Sequence, residues 1–263
     1  MAAGSSKDGT GGAVCSTFTR LKSLCPTVSI SILSADLMDL GSELAMLERA
    51  GVGIVHVDVM DGCFCPYMTV GAPYVKGLRT GLLKDVHLMI QEPLEKLPMF
   101  VAAGADIITV HLEAAVHIHR VLQRLGDMEH SSSSGCGIVR GLALNPATPL
   151  EWLTPPLLAE VEMVSLLAVD PGFTGQKFAP NTLQRVARVR EIIAAEGRDI
   201  LVCVDGGITR DNIAEVAAAG PDLIATGSAV FDGKAAAGAA AGGGAEANAR
   251  FVLEAVGARP GGL

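Results

Sequence analysis

The chain has 263 residues, 49 % of them hydrophobic and 18 % charged, which is ample apolar material for one large core. A formal net charge of -8 without any basic run argues against a nucleic-acid partner, and no uninterrupted apolar segment has the length of a membrane span. The six cysteines show no zinc-finger spacing, since Cys63-x-Cys65 is too short for a paired-ligand turn, so a structural zinc site is not expected.

Residues 1–26 are rich in Gly, Ser, Ala and Thr without apolar periodicity and are expected to form a disordered extension. They lack the compact apolar run of a secretory signal, which favours a cytoplasmic location. From Val28 onward apolar strands are expected near 28–33, 53–59, 85–89, 106–111, 138–144, 161–168, 200–205 and 222–226. Helical patterns fall between them near 41–51, 73–81, 93–103, 113–125, 149–158, 181–196, 210–219 and 244–256. Eight strand–helix units in strict alternation predict an α/β chain whose parallel sheet closes into a (β/α)₈ TIM barrel, a single domain over 27–260. Ala50-Gly51, Ala103-Gly104 and Ala219-Gly220 read as helix C-caps before the next strand. A serine-rich insertion at 129–135 and an Ala/Gly-rich tract at 233–244 stand outside the pattern.

The chemistry-bearing residues sit on three of these strands. Around His56-Val-Asp-Val-Met-Asp61-Gly62, alternation puts His56, Asp58 and Met60 on one face and Val55, Val57 and Val59 on the other. The segment Asp85-Val-His-Leu-Met89 places His87 and Met89 on one face, and Leu201-Val-Cys-Val-Asp205 ends in a carboxylate followed by Gly206 and Gly207. His56, Asp58, His87 and Asp205 thus offer two nitrogen and two oxygen ligands, a set suited to one divalent ion such as Zn²⁺, Fe²⁺ or Mn²⁺. All four fall in the C-terminal parts of strands 2, 3 and 7, where barrels of this class build their active face. His111 reads first as a satisfied strand-end histidine and second as a pocket-lining one, and Asp61 as an organiser of its own loop. Glycine-bearing loops follow strands 6, 7 and 8, at Pro171-Gly172-Phe173-Thr174-Gly175-Gln176, Gly206-Gly207 and Gly227-Ser228. Glycines let backbone N–H groups approach an anion, so this end is expected to bind phosphate.

Together with Ser31-Ile-Leu-Ser-Ala-Asp36, Asn145-Pro-Ala-Thr-Pro149 and Asp170-Pro-Gly-Phe-Thr-Gly-Gln-Lys-Phe178, these segments resemble the ribulose-phosphate 3-epimerase family over about 28–232. The resemblance implies a ribulose-phosphate-binding type of barrel that interconverts D-ribulose 5-phosphate and D-xylulose 5-phosphate in pentose phosphate metabolism. It implies that His56, Asp58, His87 and Asp205 hold the metal, with Asp58 and Asp205 also the catalytic acid and base. It implies further that Ser31, His87, Gly172, Phe173, Thr174, Gly175, Asp205, Gly206, Gly207, Gly227 and Ser228 contact a ketose phosphate. Met60, Met89 and Leu167 would wall the pocket, and a homo-oligomer is expected. Inversion beside a ketone fits this set, because it needs two proton-transfer groups on opposite faces of an enediolate.

The chain departs from the family pattern at Cys63-Phe-Cys65-Pro-Tyr67, where His-Phe-Val-Pro-Asn is usual, at Thr174 in place of Gly and at Leu167 in place of Met. The altered loop leaves open a six-carbon ketose phosphate such as allulose 6-phosphate, or a non-catalytic sugar-phosphate-binding role. A decarboxylase on the same barrel would carry Asp-x-Lys-x-x-Asp where this chain has Asp58-Val-Met60-Asp61.

Overall fold

A computed structural model describes residues 16–130, 137–173, 175–233 and 244–258. Eight strands, β1 (Thr27–Ser31), β2 (Ile54–Met60), β3 (Leu83–Met89), β4 (Ile107–His111), β5 (Val139–Leu144), β6 (Met163–Leu167), β7 (Leu201–Asp205) and β8 (Leu223–Thr226), form a closed parallel barrel in sequence order. The helices are α1 (Thr17–Leu24), α2 (Leu40–Ala50), α3 (Ala72–Gly77), α4 (Leu97–Ala102), α5 (Ile118–Gly126), α6 (Pro155–Leu158), α7 (Thr182–Glu196), α8 (Ile213–Ala218), α9 (Ser228–Phe231) and α10 (Gly244–Ala255). The expected TIM barrel is therefore present, with every predicted strand within a few residues of its place. Several predicted helices are shorter, because Pro93, Pro149 and Pro155 break the periodic runs into a 3₁₀ turn and a short α-helix or delay their start. The Ala-Gly pairs do end α2, α4 and α8, with the glycines in the left-handed region at φ +90°, +85° and +78°.

One expectation needs correction. Residues 17–24 are not a disordered extension but helix α1, started by Ser16, whose side chain accepts a hydrogen bond from the Thr19 N–H. Leu21 on this helix is completely buried and joins an apolar cluster with the first residues of β2 to β8, among them Ile54, Leu83 and Ile107. The helix gains its order by plugging the N-terminal mouth of the barrel. Residues 1–15, the serine run 131–134 and most of the Ala/Gly tract (234–243) lie outside the described residues.

Register is pinned at this lower end by a repeated device. Asp106, Glu162 and Asp222, each immediately before β4, β6 and β8, accept the backbone N–H of Lys84, Arg140 and Val202 on the preceding strand at 2.7–2.8 Å. Each carboxylate replaces a missing ladder bond at a strand start. A one-residue slip would turn the inner face outward, so this pinning matters for what lies above. Val55, Val57 and Val59 face outward into the large apolar layer between barrel and helices. The inner faces change from apolar at the bottom to polar in the middle, where Ser29, His56, Asp85, Thr109 and Ser165 are all buried.

Candidate metal centre

Strand pairing brings the polar residues into one cluster. Asp58 stands opposite His87, His56 opposite Asp85, and Met60 opposite Met89, while Leu167 neighbours Asp205 across β6 and β7. One donor atom from each of His56, Asp58, His87 and Asp205 lies within 4.8 Å of all the others. His56 Nε2 is 3.1 Å from Asp58 Oδ1 and 3.7 Å from Asp205 Oδ2. His87 Nδ1 is 3.3 Å from Asp58 Oδ1 and 3.2 Å from Asp205 Oδ2. The four predicted ligand residues thus converge as the alternation implied.

The electrostatics fit a cation. Burial pushes the His56 imidazole toward neutrality, but the carboxylates of Asp58 and Asp85 overcome it and lift the group well above its ordinary value. Burial likewise opposes charge on His87, yet Asp205 and Asp58 raise it to about 9. Burial would raise Asp58, and the two imidazoles beside it hold it well below the usual carboxylate range instead. The cluster is short of positive charge, and a divalent ion on two imidazoles and two carboxylates would supply it.

Two further residues, Asp85 and His111, sit against this centre. Asp85, buried beneath the cluster, accepts from His56 Nδ1 at 2.7 Å and from Ser29 Oγ at 2.9 Å, both on Oδ2. That contact fixes the His56 tautomer with Nε2 free to ligate. The strand alternation that grouped His87 with Met89 puts Asp85 on the same face, so the signal was present. His111, expected as an ordinary strand-end residue, is fully buried with its Nε2 2.8 Å from His87 Nε2. Burial drives its pKa down to about 4 against the pull of Glu113.

The remaining predicted residues surround this centre. Ser31 donates its hydroxyl to Asp58 Oδ2 at 2.7 Å, so its side chain is engaged by a cluster carboxylate. Met89 and Leu167 are buried, and Met60 is partly so. Asp61 organises its loop as expected, accepting the N–H groups of Cys63, Phe64 and Gln91 at 2.8–2.9 Å.

The glycine loops after β6, β7 and β8 meet at the same end of the barrel. A Cβ at Gly207 would approach the Phe178 backbone to 3.1 Å, and one at Gly206 would strike Val169, so the β7 loop packs directly on the β6 loop. Thr226 and Ser228 both donate side-chain hydroxyls to the Ile208 carbonyl, at 2.9 and 3.1 Å, tying the β8 end to the β7 loop. Gly227 sits so close to Ser31 and Ser34 that only glycine fits. Gly172, at φ +78°, rests on Cys65, its Cβ position 2.5 Å from the Cys65 Cβ. Gly175 also has positive φ, Phe173 is exposed, and Thr174 lies outside the described residues.

Comparison with known proteins identifies the family. The chain matches the Ribulose-phosphate 3 epimerase family over residues 27–231. It is 43 % identical over 208 residues to the ribulose-phosphate 3-epimerase of Escherichia coli K12, covering 78 % of this chain and 88 % of that protein. The ribulose-phosphate 3-epimerase of Bacillus subtilis strain 168 is 40 % identical over 207 residues, covering 78 % and 91 %. Among solved structures, KGPDC from Streptococcus mutans superposes with a TM-score of 0.61 at 12 % identity, over 89 % of this chain and 98 % of that one. The 3-hexulose-6-phosphate synthase from Salmonella typhimurium gives 0.56 at 16 % identity, over 88 % and 98 %. These two likenesses are of fold alone.

Proposed function

Because the chain belongs to the ribulose-phosphate 3-epimerase family of isomerases, we propose that it inverts C3 of D-ribulose 5-phosphate to give D-xylulose 5-phosphate, using one divalent ion and two aspartates. The observation that carries the metal reading is the convergence of four donor atoms within 4.8 Å on the inner face of β2, β3 and β7. When bound, the ion would act as a Lewis acid that stabilises the negative charge developing on the substrate oxygens. Zn²⁺, Fe²⁺ and Mn²⁺ all suit this ligand set.

The protein's own groups do the proton chemistry. Asp58 and Asp205 stand three strand positions apart around the eight-strand ring, so they approach a planar intermediate from different sides. Asp58 as carboxylate takes the C3 proton, the C–H electron pair moves into the C2–C3 bond, and an enediolate forms. Asp205 in its acid form then delivers a proton to the opposite face of C3, and the reverse reaction exchanges the two roles. Asp58 divides its oxygens between these tasks: Oδ1 faces the two histidines, while Oδ2 is oriented by the Ser31 hydroxyl. Met60, Met89 and Leu167 form an apolar wall that keeps water from the intermediate. Backbone N–H groups of the loops at Gly172–Gly175, Gly206-Gly207 and Gly227-Ser228 hold the phosphate.

Deuterium exchange at C3 of ribulose 5-phosphate, followed by NMR on metal-loaded protein in deuterated water, tests the proposal. Exchange with xylulose 5-phosphate formation, abolished in folded Asp58→Asn and Asp205→Asn proteins, is the expected result. Near-normal turnover in either variant would sink the two-aspartate mechanism. Running allulose 6-phosphate in parallel measures what the Cys63–Tyr67 loop does to substrate choice.

A further inference from the structure

Of the two histidines in the donor cluster, His56 has its outer nitrogen held by a carboxylate, whereas the outer nitrogen of His87 meets another imidazole. We propose that His111, itself steered by Glu113, is the positioning residue that fixes the ring and tautomer of His87 for metal binding. This inference rests on the metal reading above.

His87 turns Nδ1 toward Asp58 and Asp205, so Nε2 is the nitrogen left over. That Nε2 lies 2.8 Å from His111 Nε2. The ring centroids are 4.9 Å apart with planes inclined by 16°, and at this N–N distance the rings meet edge to edge rather than face to face. Two ring nitrogens in this contact share one proton, one ring donating and the other accepting.

The direction is set at the far side of His111. Its buried Nδ1 makes no hydrogen bond but lies 3.4 Å from Glu113 Oε2, and the charge of that carboxylate favours the proton on Nδ1 and leaves Nε2 as acceptor. His87 then carries its proton on Nε2 and offers the Nδ1 lone pair to the cluster. Glu113 is itself anchored, since its other oxygen accepts from the Asn145 N–H at 2.9 Å and from the Thr148 hydroxyl. Phe64 covers His111, with ring centroids 4.7 Å apart, and holds the pair away from water. A run from the loop after β4 through the end of β4 thereby reaches a ligand on β3, and the same loop is fastened to the end of β5.

The test measures binding of Co²⁺ alone, by calorimetry, to the parent protein and to His111→Leu, His111→Gln and Glu113→Leu. Losing the acceptor in His111→Leu is expected to weaken Co²⁺ binding about 10–100-fold, the range for removing an outer partner of a ligating histidine. His111→Gln, whose amide oxygen can accept from His87, should recover most of the loss, and Glu113→Leu should fall between. In the Co²⁺-loaded parent, NMR should show a strongly shifted, slowly exchanging His87 Nε2–H that disappears in His111→Leu. Parent-like affinity in folded His111→Leu, or a Gln variant as weak as the Leu variant, would overturn the positioning role while leaving the metal site standing. Should His111→Leu not fold, parent-like affinity in Glu113→Leu would overturn it. A parent that binds no Co²⁺ would overturn both.

Discussion

Metal loading at neutral pH must displace protons, and the cluster geometry says roughly how many and at what cost. His56 ligates through Nε2 and His87 through Nδ1 only when those atoms carry no proton, yet both rings have raised pKa values among their carboxylate neighbours. With His87 at about 9, only about one molecule in a hundred has this ring neutral at pH 7, a penalty of about 3 kcal/mol on metal affinity. His56 adds a second proton. The expected outcome is a release of more than one and up to two protons per ion at pH 7, with affinity rising steeply with pH and the His87 share of that rise ending near pH 9. Calorimetric titration with Mn²⁺ in buffers of different ionisation enthalpy counts these protons directly. Release of less than about half a proton at pH 7 would refute the reasoning.

The same shifts predict a pH-dependent fold. A histidine whose folded pKa is raised contributes stability that is complete below its unfolded value, near 6.5, and is lost as pH rises through the folded value, about 9 for His87. Asp58, held low, contributes stability above the ordinary carboxylate value and loses it as pH falls through its depressed one. The melting temperature of metal-free protein should therefore fall between pH 6.5 and 9, and metal should flatten that decline.

Other expectations are readily checked. Asp85→Ala removes the acceptor for His56 Nδ1 and should weaken metal binding about 10–100-fold in the same calorimetric assay; unchanged affinity would show that His56 needs no outer partner. Gly172→Ala puts a Cβ against Cys65 in a backbone held at φ +78°, a strain of about 1–3 kcal/mol. Its effect should appear mainly as a higher KM for the sugar phosphate, and an unaltered KM would dissociate this turn from phosphate binding. Leu21→Ala should cost about 2–5 kcal/mol in denaturant unfolding while leaving metal affinity at the parent value.

The barrel and the convergence of His56, Asp58, His87 and Asp205 were legible because strand alternation is strict: His56 and Asp58 cannot share a face with Val55 and Val57. The contacts of Asp85 and His111 were not legible, for a different reason. Each is unremarkable alone, and only the register that sets Asp85 beside His56, and brings His111 within reach of His87, shows what it touches. Helix α1 was hidden by composition, since its apolar residues Phe18, Leu21 and Leu24 lie in eight residues next to a Gly/Ser-rich stretch. That window is too short for periodicity to stand out, and the helix depends on tertiary burial of Leu21. The meeting of the β6, β7 and β8 loops depends on glycines whose neighbours are distant in the chain, such as Gly207 against Phe178.

Helix α1 also has a consequence for how the chain assembles. Leu21 shares its apolar cluster with Leu223 of β8, about 200 residues further along the chain. At a synthesis rate of ~5–20 residues per second, α1 leaves the ribosome roughly 10–40 s before that strand exists. During that interval the helix has only an incomplete docking site, and the half-made barrel is an open sheet with unpaired edges. Closure by β8 thus completes the seat of α1 late, and slower translation would lengthen the period in which a chaperone has something to hold.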